Sequence, residues 1–130
     1  MIKFRAWDKE NKIMLAVNNI CNLFWDSKFI EGYELVPDPK GKREYDLIDH
    51  RIDFEDCVLM QSTGLFDKNG KEIFEGDVVR MRSGELLPVK LHHGMFIPVC
   101  FYISSVFERE GNVFEHPELL EDPDFREDEQ

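Results

Sequence analysis

Four groups of residues in this chain have types from which chemistry is made. His92 and His93 stand side by side, a short run before Cys100. A zinc site would call for closely spaced ligands such as C-x-x-C, and Cys21, Cys57 and Cys100 lie far apart. The two histidines therefore read as a polar turn before Gly94, and Cys100 reads as a small core residue. Gly64, Gly70 and Gly76 are evenly spaced but precede no long helix, so they punctuate turns and build no phosphate cradle. Ser62-Thr63 and Ser104-Ser105 lack the strand–turn–helix context of a nucleophile elbow. Carboxylates abound, yet a glycosidase-type pair needs a defined gap across a cleft, which no spacing here marks. His50 and His116 stand alone. The expectation is a protein with no catalytic, cofactor-binding or metal-ligating residues, no cofactor and no enzymatic activity, because site chemistry and not fold must carry such a claim.

The elements that would have to position a site are mostly strands. Ile2, Phe4 and Ala6 alternate with Lys3, Arg5 and Trp7, a period of two that predicts a half-buried strand. Alternation puts Phe4 and Trp7 on opposite faces, and Trp7 is expected to be available to a partner. A polar turn over Asp8–Lys12 and the apolar run Ile13–Val17 complete a hairpin. Asn18 to Ile30 settles on no single period; a short helix and a third strand are both open. Gly32 to Lys42, with Pro37, Pro39 and Gly41, reads as a loop and as a boundary or insertion. Glu44 to Asp56 is acid-rich and reads as a loop and short strand leading into Cys57–Gln61.

From Cys57 onward the pattern is cleaner. Asn69-Gly70 is expected to form a type I′ turn with φ > 0 at both residues. Short apolar runs then recur between turn signals: Val78–Arg82, Leu86–Leu91, Phe96–Ile103, Val106-Phe107 and Val113-Phe114. Such spacing implies a small barrel or rolled sheet. Pro88 and Pro98 suggest edge positions or bulges. Pro117 suits the first turn of a short helix. Phe96, Phe101, Tyr102 and Phe107 read as core, since only Lys90 and Arg109 accompany them and a stacking platform for single strands wants more cations.

Charge narrows the partners. The chain has 27 acidic and 16 basic residues, a net charge of −11. Residues 121–130 hold six of the acids and one Arg, and are expected to form a disordered tail. Nucleic acid is disfavoured as a direct ligand, because its affinity comes from phosphate neutralisation. No apolar run is long enough for a membrane span and no leader is visible at Met1, so the expected place is the cytoplasm, with no membrane partner. An odd number of scattered cysteines suits a reducing compartment.

Three stretches carry a resemblance. Ile2–Asp8, then Leu59–Leu65 with Asp67–Val79, and finally Gly111–Leu120 resemble, in that order, the YopX family of small bacteriophage and prophage proteins. The resemblance implies an N-terminal β/α portion, a C-terminal SH3-like barrel and self-association, with no established activity and no functional residues to carry over. His116 stands where the family more often has Asn, a better helix N-cap. Together these readings give a mainly β chain, α+β overall. An N-terminal β/α subdomain spans 1–54, an SH3-like small barrel spans 55–120 and an acidic tail spans 121–130. The expected role is a non-enzymatic phage or prophage accessory protein acting by protein–protein contact as a homo-oligomer with an unknown phage or host protein. A nucleic-acid-associated module using the barrel is the alternative and an uncharacterised enzyme the third.

Overall fold

The computed structural model describes residues 3–37 and 43–126. The chain divides into two units, Met1–Gln61 and Ser62–Gln130. It is mainly β: among the described residues there is no α-helix, and the helical turns are short 3₁₀ segments.

The first unit is an antiparallel meander. It contains β1 (Phe4–Asp8), β2 (Ile13–Cys21), β3 (Phe29–Pro37), β4 (Arg43–Asp53) and the first half of β5 (Cys57–Phe66), in the order β4-β3-β2-β1-β5. Ala6 sits opposite Leu15 on one side and Leu59 on the other. With Ile30 and Cys57 they form a core, flanked by Ile13, Val17, Ile20, Ile52 and Phe54. The hairpin turn after β1 is held by Asp8, whose Oδ1 accepts the N–H groups of Glu10 and Asn11.

Three expectations change here. Trp7 is buried between Met14 and Val58, because β1 has a strand on both sides and both its faces are covered. The segment expected to be a loop and short strand is instead the eleven-residue β4, paired along β3. A long neighbouring ladder overrides the poor strand propensity of its acids. The ambiguous Asn18–Ile30 resolves as strand, loop and strand, so among its described residues the expected β/α subdomain has strands and connecting loops with no α-helix, and ends at the 3₁₀ turn Phe54–Asp56. Gly32, read as the start of a loop, lies inside β3. Residues 38–42, the centre of the expected insertion, lie outside the described residues.

The second unit uses shorter strands. The second half of β5 pairs with β6 (Glu72–Phe74). A three-stranded sheet has β7 (Asp77–Met81) between β11 (Phe107–Asn112) and β8 (Leu86–Pro88), and β9 (Lys90–His92) pairs with β10 (Met95–Ile97). Ile73, Val79, Met81, Val89, Val99 and Phe107 make its core. The described ladders are open and show no closed barrel. Pro88 falls in an edge strand, where its missing N–H costs no ladder bond.

The turns differ from expectation in detail. Gly70 has φ +80°, but Asn69 does not have positive φ. The reason is Asp67, whose Oδ1 accepts the N–H groups of Asn69 and Lys71. With the Gly70 N–H bonded to the Asp67 carbonyl, this is a type I turn closed by one left-handed glycine, not a type I′ turn. Pro117 opens a 3₁₀ turn, Pro117–Glu121, and His116 does not cap it. His116 instead turns back, and its Nδ1 accepts the Asn112 N–H at 3.2 Å. The expected disordered tail is built against β8 as far as Arg126: the Leu86 N–H reaches the Asp124 carbonyl and the Arg126 N–H reaches the Leu86 carbonyl, both at 2.8 Å. Residues 127–130 lie outside the described residues.

Candidate interaction surfaces

The groups first considered for chemistry are occupied by structural tasks. The Ser62 hydroxyl donates to Glu72, and the Thr63 hydroxyl donates to the Ile73 carbonyl at 2.7 Å. Asp67, 3 % exposed, holds three backbone N–H groups, since its Oδ2 also accepts that of Arg109. Asp77 is fully buried and accepts the Phe74 N–H. Asn112 folds the segment after β11 by accepting the N–H groups of Phe114 and Glu115. Gly64, Gly70 and Gly76 all have positive φ, as turn residues should. His92 and His93 pack edge to face, with ring centroids 4.1 Å apart, at the tip of the β9–β10 hairpin. Among the described residues no three His, Cys, Asp or Glu side chains gather to hold a metal.

The cysteines are reduced thiols in three settings. Burial pushes the Cys57 thiol up, and burial followed by the Glu31 carboxylate does the same for Cys21. Raised thiols are poor nucleophiles. Cys100, read as core, is exposed, because it sits on the outer side of the 3₁₀ turn Val99–Phe101 while Val99 takes the core position.

What the molecule offers instead is surface. In the first unit β2 ends at Cys21 and β3 begins at Phe29, and the loop between them carries Leu23, Phe24 and Trp25 into solvent. Phe24 is 96 % exposed and Trp25 69 %. The loop is shaped by Asn22, at φ 56°, whose carbonyl accepts the Trp25 N–H. The sequence carried a sign of this tip: three consecutive large apolar residues between Asn22 and Asp26 fit neither strand nor helix period. The aromatic residue expected to meet a partner, Trp7, is buried, and Trp25 is the exposed one.

The second unit has two surface features. A groove of about 260 Å³ is lined by Lys68, Arg80, Arg82, Ser105 and Glu108 over a floor of Met81, Val106 and Phe107. The backbone N–H groups of Lys68 and Arg82 bond the carbonyls of Phe107 and Val106, so both cations are anchored to the same dipeptide. Lys68 pairs with Glu108 at 3.3 Å, and Arg80 pairs with Glu110 and Asp124. Next to it in the chain, Leu91, Met95, Phe101, Tyr102 and Ile103 are all exposed. Phe101 and Tyr102, expected in the core, lie outside it, while Phe107 is buried and Phe96 packs half-buried against the core.

Comparison with known proteins gives three findings. The model of the family described as YopX protein matches residues 3–121. The crystal structure of protein EF1440 from Enterococcus faecalis is similar at a TM-score of 0.62 and 30 % sequence identity, covering 92 % of this chain and 98 % of that one. No curated protein matches.

Proposed function

Because the chain belongs to the YopX family, we propose that it is a non-enzymatic accessory protein of a bacteriophage or prophage, working by protein–protein contact as a homo-oligomer in the bacterial cytoplasm. The observation that carries this reading is the tip of the β2–β3 hairpin. Exposed large aromatics in a strongly charged chain are costly to leave in water and mark interfaces. Phe24 and Trp25 stand out on a loop that joins two nine-residue strands, Phe24 almost fully and Trp25 by two thirds. The engaged hydroxyls and buried carboxylates described above support the non-enzymatic part. No helix among the described residues is long and apolar enough to cross a membrane. Short strands, tight glycine turns and the 3₁₀ turn before β11 support an SH3-like barrel as the type of the second unit.

Light scattering on the purified chain tests self-association: a mass above the 15.4 kDa protomer is expected, and a monomer at high concentration would overturn it. Capture from lysogenic host cells with the wild-type chain and with the F24S/W25S double variant tests the partner. The wild type should retain a specific protein that the variant loses. A nucleic-acid-associated module is the second reading, favoured by the cationic groove. Retention on DNA that falls steeply with salt would raise it above the first.

A further inference from the structure

We propose that Asn69 is a modification site at which the folded chain slowly converts to aspartate and isoaspartate, and that the hydrogen bond from its side-chain amide to Glu108 sets the rate. This chemistry goes beyond the contact function proposed above and does not depend on self-association.

Of the six asparagines, only Asn69 is followed by glycine. The reaction is an attack by the Gly70 backbone nitrogen on Cγ of Asn69. A bond forms between that nitrogen and Cγ, the Cγ–Nδ2 bond breaks, and ammonia leaves with the proton from the Gly70 amide. The product is a cyclic imide, which water then opens at one of its two carbonyls. Opening at Cγ gives aspartate in an ordinary chain. Opening at the main-chain carbonyl gives isoaspartate, in which the chain runs through the side-chain carbon and is one atom longer. Asparagine and water are consumed, and ammonia is the only other product. A Cβ on the following residue obstructs the attack, and glycine has none.

The fold leaves the reacting atoms open to solvent and yet ties both of them. Asn69 and Gly70 are exposed, and nothing lies within 4 Å of a Cβ built at Gly70. Hydroxide, which draws off the amide proton, and water, which opens the imide, therefore have access. Against this, the Gly70 N–H donates to the Asp67 carbonyl at 3.0 Å, and Asn69 Nδ2 donates to Glu108 Oε1 at 3.0 Å. The first bond occupies the nucleophile. The second holds the side chain in one orientation and, by drawing on the Nδ2–H, strengthens the C–N bond that must break. Glu108 is itself held by Lys68 at 3.3 Å. Asn112 is the contrast within the same unit. It is buried, its Oδ1 accepts two backbone N–H groups, and Val113 follows it, so it should not convert.

Isoaspartate is the product that the turn does not absorb. Asp67 Oδ1 accepts the N–H groups of Asn69 and Lys71, both at 2.9 Å, and the Asp67 N–H donates to the Lys71 carbonyl at 2.9 Å. An added chain atom between residues 69 and 70 displaces Gly70 and Lys71 from these partners. Either product also exchanges an amide donor for a carboxylate beside Glu108, where like charges repel. The conversion thus loosens the second unit with age.

The test ages the full-length protein at neutral and at alkaline pH and follows residue 69 by peptide mass mapping, with aspartate and isoaspartate separated by chromatography. The folded wild type should convert at Asn69 and not at Asn112, faster at alkaline pH, with isoaspartate present. The same chain unfolded in urea should convert faster still. Glu108→Ala should convert about fivefold faster than the folded wild type, the factor that an exposed hydrogen bond is worth. Glu108→Gln keeps an acceptor and should stay close to the wild type. Glu108 is partly exposed, so thermal melting should show both variants folded. If Glu108→Ala melts early, Glu108→Thr, a good strand residue too short to reach Asn69, takes its place. Purified isoaspartate protein should melt below Asn69→Asp, which carries the new charge without the added chain atom. A folded wild type that does not convert would overturn the proposal, as would equal rates in the folded and unfolded chain, aspartate without isoaspartate, or ageing of the Glu108 variants at the wild-type rate. Equal melting of the isoaspartate protein and Asn69→Asp would overturn the loosening.

Discussion

The two units build antiparallel ladders in different ways. In the first, strands of nine and eleven residues satisfy most backbone groups by pairing with one another, and apart from Asp8 at the first hairpin turn the side chains named above are left to pack. In the second, strands of three to six residues run out quickly, and buried polar side chains take over the unpaired N–H groups. Asp67, Asp77 and Asn112 are buried for this reason. The difference teaches where each unit is vulnerable: the first at places where backbones approach closely, the second at the carboxylates and amides that stand in for missing strands. Both tryptophans, Trp7 and Trp25, lie in the first unit. Tryptophan fluorescence therefore follows that unit, while circular dichroism follows both.

The largest effect is expected from Asp67→Ala. It strips three backbone N–H groups of an acceptor that is itself 3 % exposed. Loss of about 3 kcal/mol is expected, since each buried donor left unpaired costs 1 kcal/mol or more. The circular dichroism midpoint should fall below the fluorescence midpoint. If both midpoints fall together, the units melt as one and the contrast drawn here fails.

Gly32→Ala makes the complementary break in the first unit. A Cβ at Gly32 would lie far inside van der Waals contact with the Ala16 carbonyl oxygen, a backbone atom that cannot swing away. Separating β2 from β3 to make room should cost about 2 kcal/mol. Here the fluorescence midpoint should move first. An unchanged melting curve would mean that the two strands are not held as closely as their register implies.

Truncation after Asp122 probes the edge of the second unit. It removes the bonds of Asp124 and Arg126 to Leu86, the half-buried Phe125 and the ion pair from Arg80 to Asp124. A loss of about 1 kcal/mol is expected, with most of it from backbone bonds because exposed ion pairs contribute little. No loss on truncation would return these residues to the status of a solvated tail.

How much of this was legible in the sequence follows the same division. Period-two alternation gave β1 and its hairpin, and the recurrent turn residues after Cys57 gave the strand-rich second unit. Propensity misjudged β4, because a string of acids gives no local sign that β3 will supply a full-length partner. Alternation placed Trp7 on a face but could not say that both faces of a central strand are covered. The tail misled through composition: six acids argue for solvation, yet the backbone of Asp124 and Arg126 is used by Leu86, a contact that side-chain chemistry does not announce. For the interaction surfaces, the Leu23-Phe24-Trp25 run was visible but aperiodic. The exposure of Phe101 and Ile103 depends on which side of a 3₁₀ turn each residue occupies, and no period encodes that.

The smallest effect is expected at Gly70, where sequence and structure agree on the residue and differ on the turn. Asn-Gly predicted two left-handed residues; the Asp67 carboxylate holds Asn69 in the ordinary region and leaves Gly70 alone at φ +80°. Nothing lies within 4 Å of a Cβ built at Gly70, so a substituent meets no steric obstacle and the cost is backbone strain alone. Gly70→Val should therefore destabilise by about 1 kcal/mol, the penalty of a β-branched residue in the left-handed region. Asn69→Ala separates the two turn types. In a type I′ turn it would carry a similar strain, because Asn is favoured there. In the turn observed it loses only the exposed bond to Glu108, and the melting midpoint should stay nearly unchanged. Equal losses for the two variants would restore the type I′ turn and remove the role assigned to Asp67.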